Sequence, residues 1–229
     1  MKTIIFCGGY GTRFNNGKPG PLKPLLKVNK KTILEHIFKI YSKYGFKEFY
    51  LLGGYKINEL IKFSKTIKKI NINIIDTGRG TTTAGRLLHA KKYLKNGEIF
   101  FLTYGDSLAN FKPKEAIKLK NSNNIIISTH DYKPPYGILN LQKNKIVKKI
   151  YEKNFSININ AGFYTLDTSI FHHIKSKKDS FEKDCLPRIL NSKKKIKYIK
   201  LKKWQPIDNN YDIDCVERFL KTQKNYFYE

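Results

Sequence analysis

Apolar residues in the first half of the chain come in short unbroken runs, separated by segments whose apolar positions repeat at helical spacing. The runs at 2–7 (KTIIFC), 48–52 (EFYLL), 71–76 (NINIID) and 98–103 (EIFFLT) read as strands buried on both faces. Between the first two, Ile33, Ile37, Ile40 and Tyr41 share one face of a helix over 32–44. Thr32 with Glu35 three residues later is a capping-box pattern at its start, and Gly45 stops it. Segments 57–68 and 84–95 predict two more helices, the second closed by Asn96-Gly97. Such alternation predicts a mostly parallel sheet covered by helices. After about residue 124 short strands follow closely (NIIIST, GILNLQ, KIVKKI, AGFYTL), with helical stretches at 180–190 and 212–224 around KIKYIKL. The expected fold class is α/β: a Rossmann-like, mostly parallel mixed sheet with helices on both faces and a small additional β lobe. A single domain is expected over 1–229, its two parts meeting near residue 123.

The 229 residues suit one core, and 40% hydrophobic with 14% aromatic residues excludes a disordered polycation. No apolar run approaches the roughly 18 residues of a membrane span. The start MKTIIFCGGYGTR turns to glycines too early for a signal peptide. Cys7, Cys185 and Cys215, in no metal-ligand spacing, read as small buried hydrophobes in a reducing, cytoplasmic compartment. His36, His89, His130, His172 and His173 match no metal or triad spacing and read as structural.

Charge complicates this picture. Lys and Arg number 45 against 18 Asp and Glu, a net charge of +27. That suggests a nucleic-acid partner. Only five of the basic residues are Arg, however, and base reading leans on bidentate Arg. The lysines are scattered among abundant Ile and Asn, as AT-rich codon use produces. A solvated surface is therefore the favoured reading over nucleic acid, no membrane partner is expected, and a homo-oligomer stays open.

Candidate chemistry concentrates after the first strand. Phe6-Cys7-Gly8-Gly9-Tyr10-Gly11-Thr12-Arg13 lets backbone N–H groups converge on an anion at the strand's carboxyl end, where parallel sheets bind ligands. The P-loop pattern is not met, because Pro19 follows Gly17-Lys18 and no glycine sits at the required offset. The dinucleotide fingerprint is not met either, because Phe14 holds its last glycine position. Arg13 and Lys23 supply cations for a polyphosphate; a tight turn is the bland alternative for the glycines alone.

These residues resemble the sugar-phosphate nucleotidyltransferases, most closely the glucose-1-phosphate cytidylyltransferases. The family's opening G-G-x-G-T-R is matched by Gly8 to Arg13, and its Lys-Pro by Lys23-Pro24. Thr32 to Ile37, Gly54-Tyr55-Lys56, Asp76-Thr77-Gly78 and Thr83-Ala84-Gly85-Arg86-Leu87 follow in family order. So do Tyr104-Gly105-Asp106, Glu152-Lys153, Asn160-Ala161-Gly162-Phe163 and Trp204 to Asp208, so that the match covers about residues 1–212. The Thr83–Leu87 segment points to the cytidylyl branch.

The resemblance implies a GT-A-like nucleotidyltransferase fold, with a nucleotide-binding part over about 1–123 and an acceptor and metal part over about 124–229. It implies attack of an acceptor phosphate on the α-phosphorus of CTP, with UTP and dTTP as alternatives, and loss of pyrophosphate. Arg13 and Lys23 are the implied catalytic cations. Phe6, Cys7, Gly8, Gly9, Tyr10, Gly11, Thr12, Thr82, Thr83, Arg86 and Gly105 are implied at the nucleotide. Tyr104, Lys153 and Asn160 are implied at the acceptor, and Asp106 and Asp208 at a shared Mg²⁺. Read alone, Asp106 is also an Asx-turn residue, Asp208 and Thr83 are helix-cap material, and Lys153 is a surface lysine. A phosphomonoester dianion is already nucleophilic, so no general base is required. The acceptor half departs from the family: the stretch between Lys56 and Asp76 is short, and Asn154 replaces a proline after Glu152-Lys153. The acceptors that fit are therefore a sugar 1-phosphate such as glucose 1-phosphate, or a non-sugar phosphate such as the L-glutamine phosphate used by cytidylyltransferases of capsule phosphoramidate synthesis.

Overall fold

The unalternating apolar runs pair into one seven-stranded sheet in a computed structural model that describes residues 1–152 and 155–229. In chain order the strands are β1 (Lys2–Phe6), β2 (Lys27–Val28), β3 (Lys31–Thr32), β4 (Glu48–Gly53), β5 (Asn71–Asp76), β6 (Ile99–Tyr104) and β7 (Ser107–Ala109). They continue with β8 (Asn124–Tyr132), β9 (Ile138–Leu141), β10 (Val147–Tyr151), β11 (Ile157–Asp167), β12 (Lys195–Leu201) and β13 (Trp204–Pro206). The α-helices are α1 (Ile33–Ser42), α2 (Ile57–Thr66), α3 (Thr83–Ala90), α4 (Pro113–Leu119), α5 (Leu186–Leu190) and α6 (Asn210–Thr222).

The sheet order is β12-β8-β11-β6-β1-β4-β5. Strands β6, β1, β4 and β5 run parallel, and β12 runs parallel to β8. Strand β11 lies antiparallel between β6 and β8. The mixed part is thus fused into the main sheet, and the separate β lobe reduces to the β9–β10 hairpin. The chain leaves β1 toward β4 on one side, while β6 pairs on the other. That switch point opens a crevice beyond the carboxyl ends of β1 and β6.

Successive strand residues face opposite layers. Ile5, Phe49, Leu51 and Phe101 pack with α1, α6 and the C-terminal Phe227 and Tyr228. Ile4, Phe6, Tyr50, Leu52, Phe100 and Leu102 pack with α3 and α5. The Thr32–Glu35 capping box forms as its spacing predicts. His36 is structural: its Nε2 meets the Val28 carbonyl at 2.9 Å, its Nδ1 meets the Tyr228 hydroxyl, and burial lowers its pKa. Two predicted helices are less regular than their periodicity suggests. The third ends at Ala90 and tightens to a 3₁₀ turn over Lys91–Tyr93, and the 180–190 segment begins as a π turn over Phe181–Cys185 before α5.

Candidate active site

A cavity of about 410 Å³ opens at the switch point. Its walls are the loop 6–13, Lys23 and Pro24, residues 80–83 with Arg86, and Tyr104, Gly105 and Asp106. Every residue expected at the nucleotide lines it, and so does Tyr104. Pro24, the second residue of the Lys23-Pro24 match, joins them, as do Gly80 and Thr81, which were not singled out in the sequence; the run Thr81-Thr82-Thr83 after Gly80 was the available signal.

The glycine loop is held from beneath by Arg86, which is 6% exposed. Its Nη2 donates to the Gly8 carbonyl at 2.8 Å, its Nη1 to the Gly53 carbonyl at 3.1 Å and to Thr77 Oγ1 at 3.0 Å, and its Nε to the Thr81 carbonyl at 3.1 Å. The guanidinium thereby ties the ends of β1 and β4 to the start of α3. The contact explains why Gly8 has no side chain: a Cβ there would stand 1.6 Å from Arg86 Nη1. Arg86 therefore reaches the cavity as part of its wall, with its donors turned to backbone carbonyls and the Thr77 hydroxyl. Beside the loop, Tyr10 packs on Tyr55 with ring centroids 5.0 Å apart, and the Tyr55 hydroxyl donates to the Gly20 carbonyl. Cys7 is buried in the wall, and desolvation raises its pKa against the pull of Arg86, so it is a protonated, inert thiol.

Helix α3 is capped by Thr82, whose Oγ1 accepts from Gly85 N, and not by Thr83. Thr83 Oγ1 instead accepts from Phe181 N at 2.8 Å. Asn160 does not line the cavity; it is exposed on β11, where its amide donates to the Tyr164 hydroxyl at 2.7 Å and its Oδ1 accepts from Gly162 N. Lys153 lies outside the described residues.

Asp106 and Asp208 meet because β7 and β13 pair, Ser107 opposite Pro206, and Ile207 N donates to the Asp106 carbonyl at 2.8 Å. Lys23, with a side chain 10% exposed, pairs with Asp208 and lies 3.7 Å from Asp106. Arg13 reaches Asp208 at 2.5 Å from the solvent side. Desolvation raises the Asp106 carboxyl above its ordinary pKa; Lys23 opposes this and the Asp208 charge adds to it. Burial also pushes Asp208 upward, but its hydrogen bond and charge pairing with Lys23, with Arg13 behind them, hold it below the ordinary range. Two carboxylates converging on one ammonium form a donor set that suits a hard divalent cation completing its shell with phosphate oxygens. Among the described residues no group of three or more His, Cys, Asp or Glu side chains offers a fuller ligand set.

Comparison with known proteins places this geometry. The Nucleotidyl transferase family model matches residues 2–221. The glucose-1-phosphate cytidylyltransferase of Salmonella typhi is 28% identical over 239 aligned positions, covering 93% of each chain. The D-glycero-alpha-D-manno-heptose 1-phosphate guanylyltransferase of Campylobacter jejuni is 31% identical over 80% of this chain and 83% of its own. Among solved structures, HddC of Yersinia pseudotuberculosis, complexed with GMP-PN, shares the fold with a TM-score of 0.76 at 23% identity, over 95% of this chain and 98% of its own. The fold, the glycine-loop cavity at the switch point and the match along nearly the whole chain agree: this protein belongs to the nucleotidyl transferase family.

Proposed function

We propose that this chain is a Mg²⁺-dependent cytidylyltransferase that joins CTP to a phosphorylated small molecule and releases pyrophosphate. The acceptor is a sugar 1-phosphate such as glucose 1-phosphate, or a non-sugar phosphate such as L-glutamine phosphate. The observation that carries the reading is the meeting of Lys23 and Asp106, both in the wall of the glycine-loop cavity, with Asp208, which pairs with Lys23. The cytidine preference is supported by the Thr83–Leu87 segment and by a cytidylyltransferase relative matched over 93% of the chain.

In this reading an acceptor phosphate oxygen forms a bond to the α-phosphorus of CTP. The bond from that phosphorus to the oxygen bridging the β-phosphate breaks, and pyrophosphate leaves with the electron pair. Backbone N–H groups of the glycine loop bind the triphosphate, and Arg13 and Lys23 offset the charge that gathers on the leaving group. Asp106 and Asp208 are the residues that would hold Mg²⁺, which when bound lowers the repulsion between the two phosphates. The excess of lysine over the rest of the surface steers polyanions toward the cavity.

GTP is the second reading, favoured by the 31% identity to a guanylyltransferase. The test is to incubate the protein and Mg²⁺ with CTP or GTP and each acceptor, and to identify products by mass spectrometry. A CDP-linked product is expected; a GDP-linked product alone would replace the reading with the second one.

A further inference from the structure

We propose that Glu182 is a positioning residue that fixes the Tyr104 hydroxyl as a hydrogen-bond acceptor toward the cavity. This wall then selects an acceptor substrate carrying a hydroxyl or N–H donor. The inference rests on the nucleotidyl-transfer reading of the cavity and adds what its acceptor side recognises.

Glu182 does not line the cavity; it is bonded to two residues that do, Tyr104 and Thr83. Its Oε1 accepts from the Tyr104 hydroxyl. Its Oε2 accepts from Thr83 Oγ1 at 3.2 Å and from Ser180 Oγ at 3.3 Å. Among the described residues the hydrogen bonds to this carboxylate come from hydroxyls only. An ionised carboxylate accepts and cannot donate, so each hydroxyl proton is turned toward it. Tyr104 is left with oxygen lone pairs, and burial together with neighbouring Tyr164 and Glu182 raises its pKa, so it stays a neutral phenol. Thr83 is further committed, because its oxygen also accepts from Phe181 N.

The ring of Tyr104 has little freedom. It packs on Phe6 with centroids 5.2 Å apart, and a Cβ on Gly162 would come within 2.9 Å of its Cδ2. Tyr164 stands beside the same carboxylate, with its hydroxyl bonded to Asn160. Glu182 thus joins the nucleotide-side helix α3 to the acceptor-side strand β11 through one anionic hub. A phosphate oxygen has no proton to give Tyr104, whereas a sugar hydroxyl or an amide N–H does.

Four variants and an activity-independent signal test this. Tyr104→Phe and Glu182→Met should each raise the acceptor KM about tenfold with kcat held within about twofold, as expected for loss of one hydrogen bond to the substrate. The double variant should be no worse than either single one. Glu182→Gln, which keeps one acceptor oxygen, should recover most of the affinity. In ¹³C-tyrosine spectra, the Tyr104 Cζ resonance, assigned with Tyr104→Phe, should move in Glu182→Met. Multiplicative KM effects, an unmoved acceptor KM, or an unmoved Tyr104 resonance would overturn the proposal. A wild-type protein that releases no pyrophosphate from any substrate pair would instead contradict the proposed reaction, and the Tyr104 resonance would still decide the role of Glu182.

Discussion

The Lys23 ammonium and the Asp208 carboxylate, 185 positions apart in the chain, form an ion pair at the cavity, with Asp106 3.7 Å from the same ammonium. Lys23 would therefore compete with the proposed divalent cation for the same two carboxylates. Replacing it should have opposite effects on metal binding and on turnover. Lys23→Met should lower kcat/KM by about a hundredfold or more, because a cation facing the developing charge is lost. The same variant should bind Mg²⁺ or Mn²⁺ more tightly than wild type in calorimetric titrations, since both carboxylates lose their competing partner. Weaker metal binding in Lys23→Met would contradict the assignment of Asp106 and Asp208.

Arg86 organises the loop that Lys23 faces. Removing its guanidinium in Arg86→Met strips the donor from the Gly8 and Thr81 carbonyls, while the Gly53 carbonyl keeps its bonds from Thr77 N and Oγ1. At about 1–3 kcal/mol for a buried group left unsatisfied, urea unfolding should register a loss of about 3 kcal/mol or more. Gly8→Ala attacks the same contact from the other side, because its Cβ would meet Arg86 Nη1 at 1.6 Å. It should abolish the thermal stabilisation that nucleotide gives the wild-type protein.

Far from the cavity, Asp167 ties together Lys120 at 2.6 Å and Lys194 at 2.9 Å, with the Lys120 side chain 1% exposed. Burial pushes the Asp167 carboxyl upward, but hydrogen bonds from Lys120, Ser169 and Lys194 outweigh it and bring its pKa to about 2. A carboxyl depressed in the folded state stabilises above its unfolded pKa near 3.9 and loses that contribution as pH falls toward 2. Urea unfolding should therefore show about 2 kcal/mol lost between roughly pH 5 and pH 2 that is absent in Asp167→Asn. At pH 7 that variant should be less stable by about 3–5 kcal/mol, because it leaves Lys120 buried without its counter-charge.

Local signals made the first half of the fold legible. The apolar runs became β1, β4, β5 and β6, and the Thr32–Glu35 pair capped α1, because each depends on residues close in sequence. Strand β11 was visible as a strand, but its insertion between β6 and β8 depends on long-range pairing that no local pattern encodes. The site divides in the same way. The glycine loop announces itself, whereas the approach of Asp208 to Asp106 depends on the three-residue strands β7 and β13, too short to read. Arg86 was legible as a site residue from its motif, but its role as a clamp on backbone carbonyls emerges only once three segments meet. Glu182 was not singled out in the sequence, because its role lies in the hydroxyls that surround it.

The acidic pair can be tested at the level of chemistry. Asp106→Ala should lower pyrophosphate release by about a thousandfold, and excess Mg²⁺ should not restore it. Asp208→Asn should lower it less, by about a hundredfold, because its amide oxygen can still accept from Lys23. Stopped-time assays of both variants, with circular dichroism to confirm folding, check the order; equal activity of Asp106→Ala and wild type would remove Asp106 from the reaction.

The most direct measurement is pyrophosphate release from a matrix of CTP, UTP, dTTP and GTP against hexose 1-phosphates and acyl or amide phosphates, with and without Mg²⁺. The account predicts release with CTP and one phosphorylated acceptor class, dependent on both acceptor and Mg²⁺. Release with GTP in place of CTP, or no release from any pair, would contradict it.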